Sequence, residues 1–439
     1  MSGQKPREIA CQILSRQDRG AFVEHLLDEA LAHATLSAAD RRLCQELVYG
    51  IVRWQATLDW LIARKTQGRP TQEALKNLLR LGLYQIFWLE RIPNHAAVNE
   101  TVNLAKDRGL PAGFVNAVLR GSLREFEETK RRLAELRTTD PALGYSHPGW
   151  LVDRWRQRWG EDRAAQLMAW NNTPPKTFAR VNTLKADPGK LLTQWRDESV
   201  EYDFVRRDWF EENLVFELKT HPPLSQLPSF QQGLFYVQDP STLLAVHQLA
   251  PQPGETILDL CAAPGGKLTY LAQLMRNDGQ LVAEDTAVER VRLIEENCRR
   301  LGVTCARTVP VPTEAHAARS APLPRPAFPQ VFDRILIDAP CSNTGVMRRR
   351  VDLRWRIRSQ EIARLRLGQL ELLRQAAARV KPGGVLVYST CSLETEENQE
   401  LVREFLIQEK EFQVEHEREL LPFVDGVDGA YVARLRRAA

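Results

Sequence analysis

The sequence predicts an α/β protein: a doubly wound domain at its carboxyl end, preceded by an all-α bundle and a small α+β module. Three observations predict it. From residue 255 onward, short apolar runs of strand length alternate with helical patterns, the signature of a mostly parallel sheet with helices on both faces. From 6 to about 130, apolar residues recur at helical spacing and no strand signal interrupts them. Between these regions, helix-like patterns give way to short alternating runs.

In the bundle, Ile9, Ile13 and Leu14, then Phe22, Leu26, Leu27, Ala30 and Leu31, share helical faces. Ser37-Ala-Ala-Asp40 reads as a capped start before Leu43, Leu47, Ile51 and Val52. Thr71 is expected to begin the helix carrying Leu75, Leu78, Leu79, Leu83 and Ile86, and Pro93-Asn94 to break the chain before a helix over 96–106. This is the first of three expected domains, 1–140. The second, 145–245, has helices over 150–159 and 164–170, then strands over 177–184, 213–218 and 233–237. The third, 246–439, has strands over 257–260, 280–284, 333–337 and 385–388, with helices near 267–276, 287–301 and 359–380. Pro310 to Pro329 carries six prolines and is expected to be a loop insertion without secondary structure.

Composition narrows the function. A chain of 439 residues, 43% hydrophobic, has ample material for two or three cores. No apolar run approaches the roughly 18 residues of a membrane span, and the start, Met1-Ser-Gly-Gln-Lys-Pro-Arg, has no apolar signal core, so the expectation is a cytoplasmic protein. Seven cysteines, at 11, 44, 261, 298, 305, 341 and 391, form no CxxC spacing. Neither a disulfide framework nor a zinc site is expected. The net charge of +4 says little. The local cluster Arg348-Arg349-Arg350, Arg354, Arg356 and Arg358, interleaved with Trp355, reads equally as a solvated face or as a grip on RNA phosphates. Arg180, Asn182 and Arg206-Arg207 are further candidates for phosphate contact, with ordinary exposed polar residues as the alternative.

Three segments carry the chemistry. Asp259-Leu-Cys-Ala-Ala-Pro-Gly-Gly-Lys267 follows the first strand of the carboxyl-terminal domain. Gly265 and Gly266 permit a tight turn and close backbone approach, so Cys261, Ala262, Ala263, Pro264, Gly265, Gly266 and Lys267 are candidate cofactor contacts. The turn is no phosphate loop: Cys261 stands where the first glycine would be required, and Leu268 where the Ser or Thr would be. A cofactor without phosphates fits better, and S-adenosylmethionine has none. Asp285 closes the next strand, some 20 residues on, where a carboxylate accepts ribose hydroxyls.

Asp338-Ala-Pro-Cys-Ser342 and Ser389-Thr-Cys-Ser392 follow two further strands joined by one helical crossover. Their thiols are expected side by side beyond the carboxyl ends of the sheet, where open α/β folds bind ligands. Two thiols beside a methyl donor suit methylation at C5 of a pyrimidine. A thiolate adding to C6 makes C5 nucleophilic, and a second thiol assists proton removal or release. Lys267 or a helix N-terminus is expected to favour the thiolate, and Asp338 to hydrogen-bond the base or the methionine part of the cofactor. Spacing does not order the two thiols. Cys11, Cys44, Cys298 and Cys305 read as inert, and Cys261 as a pocket-lining residue.

Together these segments resemble the RsmB/NOP class of RNA 5-methylcytosine methyltransferases. The front, with Leu83-Tyr-Gln-Ile-Phe-Trp88, Ile92-Pro-Asn-His-Ala96 and Phe114-Val-Asn-Ala-Val-Leu-Arg120, is similar to the NusB-type RNA-binding domain. The resemblance implies a Rossmann-like S-adenosylmethionine-dependent domain and transfer to C5 of a cytosine in 16S ribosomal RNA; a monomer without a metal is expected. It implies that Cys391 is the nucleophile, that Cys341 assists release, and that the cofactor is held by 261–267, Asp285 and Asp338. Transfer RNA as substrate, and a non-enzymatic NusB-like RNA-binding factor, are the alternatives. The chain departs from the family at Val309-Pro-Val-Pro312, where an acidic adenine contact is usual, at Leu268, where threonine is usual, and at Arg350-Val351, where His-Pro is usual. An altered adenine contact is expected.

Overall fold

The computed structural model describes residues 5–17, 21–311 and 331–439. The expected insertion from Pro310 to Pro329 lies outside them except for its first two residues, as do Met1–Gln4. By its contacts the chain divides into two compact units: Met1–Pro174 with Met347–Arg356, and Pro175–Val346 with Ile357–Ala439.

The first unit is all helix. Pro6–Gln17, Val23–His33, Ala38–Arg53, Gln55–Thr66, Glu73–Trp88, Asn94–Asp107, Ala112–Arg124 and Phe126–Thr139 are followed by Gly149–Trp159 and Glu161–Asn171. The Ser37 hydroxyl accepts from the Asp40 amide at 3.1 Å, the expected cap. Thr71 does not cap its helix. Its hydroxyl turns back to the Arg69 carbonyl, and the helix starts at Glu73. The next helix starts at Asn94, immediately after Pro93, rather than at Ala96. Helix Glu73–Trp88 is buried on nearly every face from Leu75 to Ile86. Even its Arg80 lies inside, held by Asp59 at 2.7 and 2.9 Å and by Asn77 at 2.7 Å.

The arginine-rich segment corrects an expectation. Arg348 and Arg354 are 1% and 0% exposed, so neither faces RNA. Arg354 donates to the carbonyls of Arg53, Ser146 and Asn171 and to the Asn172 side chain, at 2.8–3.2 Å. Arg348 lies over the Trp170 ring, and Trp355 donates to the Val52 carbonyl. Five donors on a planar fork suit a guanidinium to collecting helix-end carbonyls. Arg350 and Arg358 remain exposed.

In the second unit, β1 (Thr177–Val181), β2 (Glu201–Val205), β3 (Val215–Thr220) and β4 (Phe235–Val237) form an antiparallel sheet ordered β2-β3-β1-β4. Helix Pro188–Asp197, capped by Asp187, sets Trp195 against Phe216 and Phe235. The sequence reading assigned neither that helix nor β2. β2 is an edge strand with three exposed residues of five, so it carries little apolar alternation.

The larger sheet contains β5 (Thr256–Leu260), β6 (Gln280–Asp285), β7 (Ala306–Pro310), β8 (Phe332–Asp338), β9 (Val380–Thr390), β10 (Phe412–Leu420) and β11 (Ala430–Arg437), ordered β10-β11-β9-β8-β5-β6-β7. Pairing is parallel from β9 to β7, with an antiparallel β10–β11 edge. The central strands are buried on both sides, as covered parallel strands are. Leu336, Val385 and Val387 feed one core; Ile335, Ile337, Leu386 and Tyr388 feed the other. The strand order reverses between β5 and β8. Open α/β sheets form their ligand crevice at such a point, outside the carboxyl ends of the strands.

Candidate active site

The turn after β5 is shaped by backbone conformations that its residues tolerate unequally. Cys261 sits at φ +62° and Gly265 at φ +100°, the latter a conformation that a side chain resists. Gly265 donates to the Ala262 carbonyl at 2.8 Å and starts helix Gly266–Leu274. The turn is tied down from outside. Asp285, only 4% exposed, accepts from the Ala263 amide at 3.1 Å and from the Thr286 amide at 2.8 Å. Arg290 bridges Asp285 and the Ala263 carbonyl, and Asn297 donates to the Pro264 carbonyl at 2.9 Å.

Arg180 fastens the other end. It is fully buried and donates to the Gly266 carbonyl at 2.9 Å, the Thr269 hydroxyl at 3.0 Å and Gln238 at 3.3 Å, between the Tyr236 and Tyr270 rings. Asn182, also buried, donates to the carbonyls of Gly233 and Leu301 at 2.8 and 2.7 Å. Buried in this way, the two residues are neither phosphate contacts nor exposed polar residues: Arg180 joins the small sheet to the cofactor turn, and Asn182 joins it to the end of helix Val288–Leu301. Arg206 is exposed and Arg207 half-buried, donating to the Asp425 carbonyl.

One residue of the first motif had no assigned role. Asp259 is 0% exposed, and neither carboxylate oxygen accepts a hydrogen bond from the described residues. Burial, then the negative charge of Asp338, raises its pKa well above the ordinary carboxylate value, while Lys267 opposes the shift. Three carboxylates, Asp259, Asp285 and Asp338, thus face the turn. The lysine among them is already paired: Lys267 Nζ lies 2.6 Å from Asp338. Burial alone would lower the Lys267 pKa, but Asp338 and Cys391 outweigh it and hold the ammonium protonated. Such a set of carboxyl groups suits the hydroxyls of a ribose and disfavours a polyphosphate. β7 runs beside β6 with Pro310 opposite Asp285, and Val309, Pro310 and Val311 offer no carboxylate there.

The two expected thiols meet. β8 and β9 are parallel neighbours, with Asp338 beside Ser389, and Cys341 Sγ lies 3.4 Å from Cys391 Sγ. Asn343, at φ +59°, accepts from the Cys391 thiol at 3.1 Å and donates to the Cys341 carbonyl at 2.7 Å. The Cys391 carbonyl accepts from the Gly345 amide at 2.9 Å; a side chain at 345 would fall 2.7 Å from that oxygen. Cys341 is 8% exposed and Cys391 half-buried. The hydrogen bond with Cys391, followed by burial, raises the Cys341 pKa well above that of a free thiol. Among the other thiols, Cys261 and Cys298 are pushed up to about 12, and Cys11 and Cys44 to about 11, chiefly by burial. Those four are weak nucleophiles.

Behind the thiols stands Glu397, which the sequence reading did not single out. It lies in an acidic stretch, Glu394-Thr-Glu-Glu397, that reads as solvated. Instead it is 0% exposed and accepts from the Ser342 amide, the Ser342 and Ser392 hydroxyls and Gln369.

A doubly wound sheet with this turn, an acid closing the next strand and a thiol pair at the carboxyl edge defines a Rossmann-like methyltransferase. The family model described as 16S rRNA methyltransferase RsmB/F matches residues 246–436, the NusB family model 4–124, and the RsmF/B-like ferredoxin-like domain model 147–217. The chain belongs to the ribosomal RNA small subunit methyltransferase B family. It is 36% identical to the probable ribosomal RNA small subunit methyltransferase B of Bacillus subtilis, over 98% of each chain. To the ribosomal RNA small subunit methyltransferase B of Klebsiella pneumoniae it is 35% identical, over 98% of this chain and 97% of that one. The crystal structure of PH0851 superposes with a TM-score of 0.77 at 26% identity, covering 99% of this chain and 100% of that one. A methyltransferase homologue from Pyrococcus horikoshii superposes at 0.57 with 31% identity, over 68% and 98%.

Proposed function

We propose that this enzyme methylates C5 of a cytosine in 16S ribosomal RNA, with S-adenosylmethionine as donor and a covalent bond between Cys391 and C6 of the base. The observation that carries this reading is the 3.4 Å separation of the Cys341 and Cys391 sulfurs at the ends of adjacent strands. The curated relatives, named as ribosomal RNA methyltransferases, support the RNA class.

When bound, S-adenosylmethionine supplies an electrophilic methyl carbon. The turn 261–267 (Cys261, Ala262, Ala263, Pro264, Gly265, Gly266, Lys267) would hold it, with Asp285 on the ribose and Asp338 on its methionine part or on the base. Cys391, as thiolate, adds to C6 and makes C5 nucleophilic. Cys341 keeps its proton and donates a hydrogen bond to the neighbouring sulfur, favouring the thiolate before addition and again at departure. After methylation the C5 proton passes to a base. The C–H electron pair restores the C5–C6 double bond, and the carbon–sulfur bond breaks. Lys267 holds Asp338 in place through their 2.6 Å ion pair.

A thiolate reaches C6 only if the cytosine is unstacked, so the target lies in a single-stranded loop or is flipped. The helical domain 1–140 and the module 145–245 hold the flanking RNA for the catalytic domain 246–439, in a cytoplasmic monomer. The test is methyl incorporation from labelled S-adenosylmethionine into purified 16S and transfer RNA, followed by bisulfite mapping. Label in one cytosine of 16S RNA, absent with Cys391→Ala, is expected. Label confined to transfer RNA would overturn the substrate assignment.

A further inference from the structure

We propose that Glu397 is a positioning residue: its buried carboxylate locks the two cysteine-bearing loops to each other and so sets where Cys341 stands against the sulfur of Cys391. The inference rests on the covalent reading above and goes beyond it. Ser342 directly follows Cys341, and Ser392 directly follows Cys391. Glu397 accepts from both: the Ser342 amide at 2.9 Å, the Ser342 hydroxyl, and the Ser392 hydroxyl. The two hydroxyls also lie 3.0 Å apart. A fourth bond, from Gln369 at 2.8 Å, anchors the carboxylate to helix Ser359–Ala377.

Burying a carboxylate without a cationic partner is expensive, and among the described residues no lysine or arginine pairs with Glu397. An apolar contact would join two loops at lower cost. A carboxylate collects several donors at fixed directions, which apolar packing does not. The next residue extends the clamp on one side only: Asn398 accepts from Thr390 at 2.7 Å and donates to the Ser392 carbonyl at 2.9 Å, gripping Cys391 from both neighbours. The Cys391 loop is thus held by Glu397, Asn398 and Gly345. From outside its own loop, the residue following Cys341 is held by Glu397 through two bonds, against one to Ser392, and by the Ser392 hydroxyl that Glu397 itself orients. Its negative charge also helps keep the Cys341 thiol protonated.

Loss of the Glu397 carboxylate should therefore disturb Cys341 more than Cys391, and release more than addition. Glu397→Gln preserves volume but puts a donor where a hydroxyl donates, so one serine must turn. In single-turnover and steady-state assays with 16S RNA, first-turnover methyl transfer should stay within about threefold of the parent while steady-state turnover falls about tenfold or more. A covalent protein–RNA band should survive a denaturing gel. The double variant Glu397→Gln with Cys341→Ala should be no slower than Cys341→Ala alone, because both act on one step. If Glu397→Gln does not fold, Ser342→Ala carries the same expectation. Parallel loss of both rates with no band, or turnover like the parent's, would overturn the proposal. Such a result beside an inactive Cys391→Ala leaves the covalent reading standing; methylation by Cys391→Ala would sink that reading instead.

Discussion

At the scale of single residues, the site consists of charges held out of water for a reason that folding alone does not supply. Asp259 is the clearest case. Burial and the charge of Asp338 raise the pKa of this carboxyl well above the roughly 3.9 it has in the unfolded chain. The folded state therefore binds an extra proton, and its stability falls as pH rises above the unfolded value, by about 1.4 kcal/mol per pH unit until the folded pKa is passed. Asp259→Asn keeps the shape and removes this slope. Its melting temperature at pH 8 should exceed the parent's, while S-adenosylmethionine affinity by calorimetry falls about tenfold or more, because a carboxyl that can give up its proton to face the cofactor's positive charge is replaced by an amide that cannot. Unchanged affinity would remove Asp259 from the cofactor's surroundings. The motif cysteines and glycines were legible in the sequence because few residue types can take their places. Glu397, Arg180 and Arg354 were not, because charged residues are rarely buried and a linear reading places them in solvent.

Elements repeat this division. β5, β8 and β9 were legible because strands covered on both faces are written in continuous apolar runs. β10 was missed: Gln413 to Arg418 alternates only weakly and is charged, which protects a sheet edge and hides it. The segment Met347–Arg356 is the element whose reading changed most, from a solvated face or a phosphate grip to a largely buried staple of the helical unit. The two kinds of arginine in it separate by experiment. Arg354→Ala should lower stability by about 3 kcal/mol or more, because several helix-end carbonyls lose their donor. Arg350→Ala, at an exposed position, should leave the melting temperature unchanged. A fall in melting temperature for Arg350→Ala as large as that for Arg354→Ala would refute this division.

At the scale of the whole molecule, each of the two compact units closes a core of its own. In the second, the larger sheet sets the site, because parallel pairing of β8 with β9 is what turns two cysteines 50 residues apart into sulfurs 3.4 Å apart. The helical front and the carboxyl-terminal α/β domain were both visible in sequence periodicity. How the small sheet reaches the cofactor turn through Arg180, and helix Val288–Leu301 through Asn182, was not, since those contacts join residues 86 and 119 positions apart and carry no local pattern. The most direct test of the thiol chemistry is a denaturing gel of Cys341→Ala and Cys391→Ala, each incubated with 16S RNA and S-adenosylmethionine. Cys341→Ala should accumulate a protein–RNA band that resists denaturation, and Cys391→Ala should give none and transfer no methyl. A band from Cys391→Ala, with none from Cys341→Ala, would contradict the assignment.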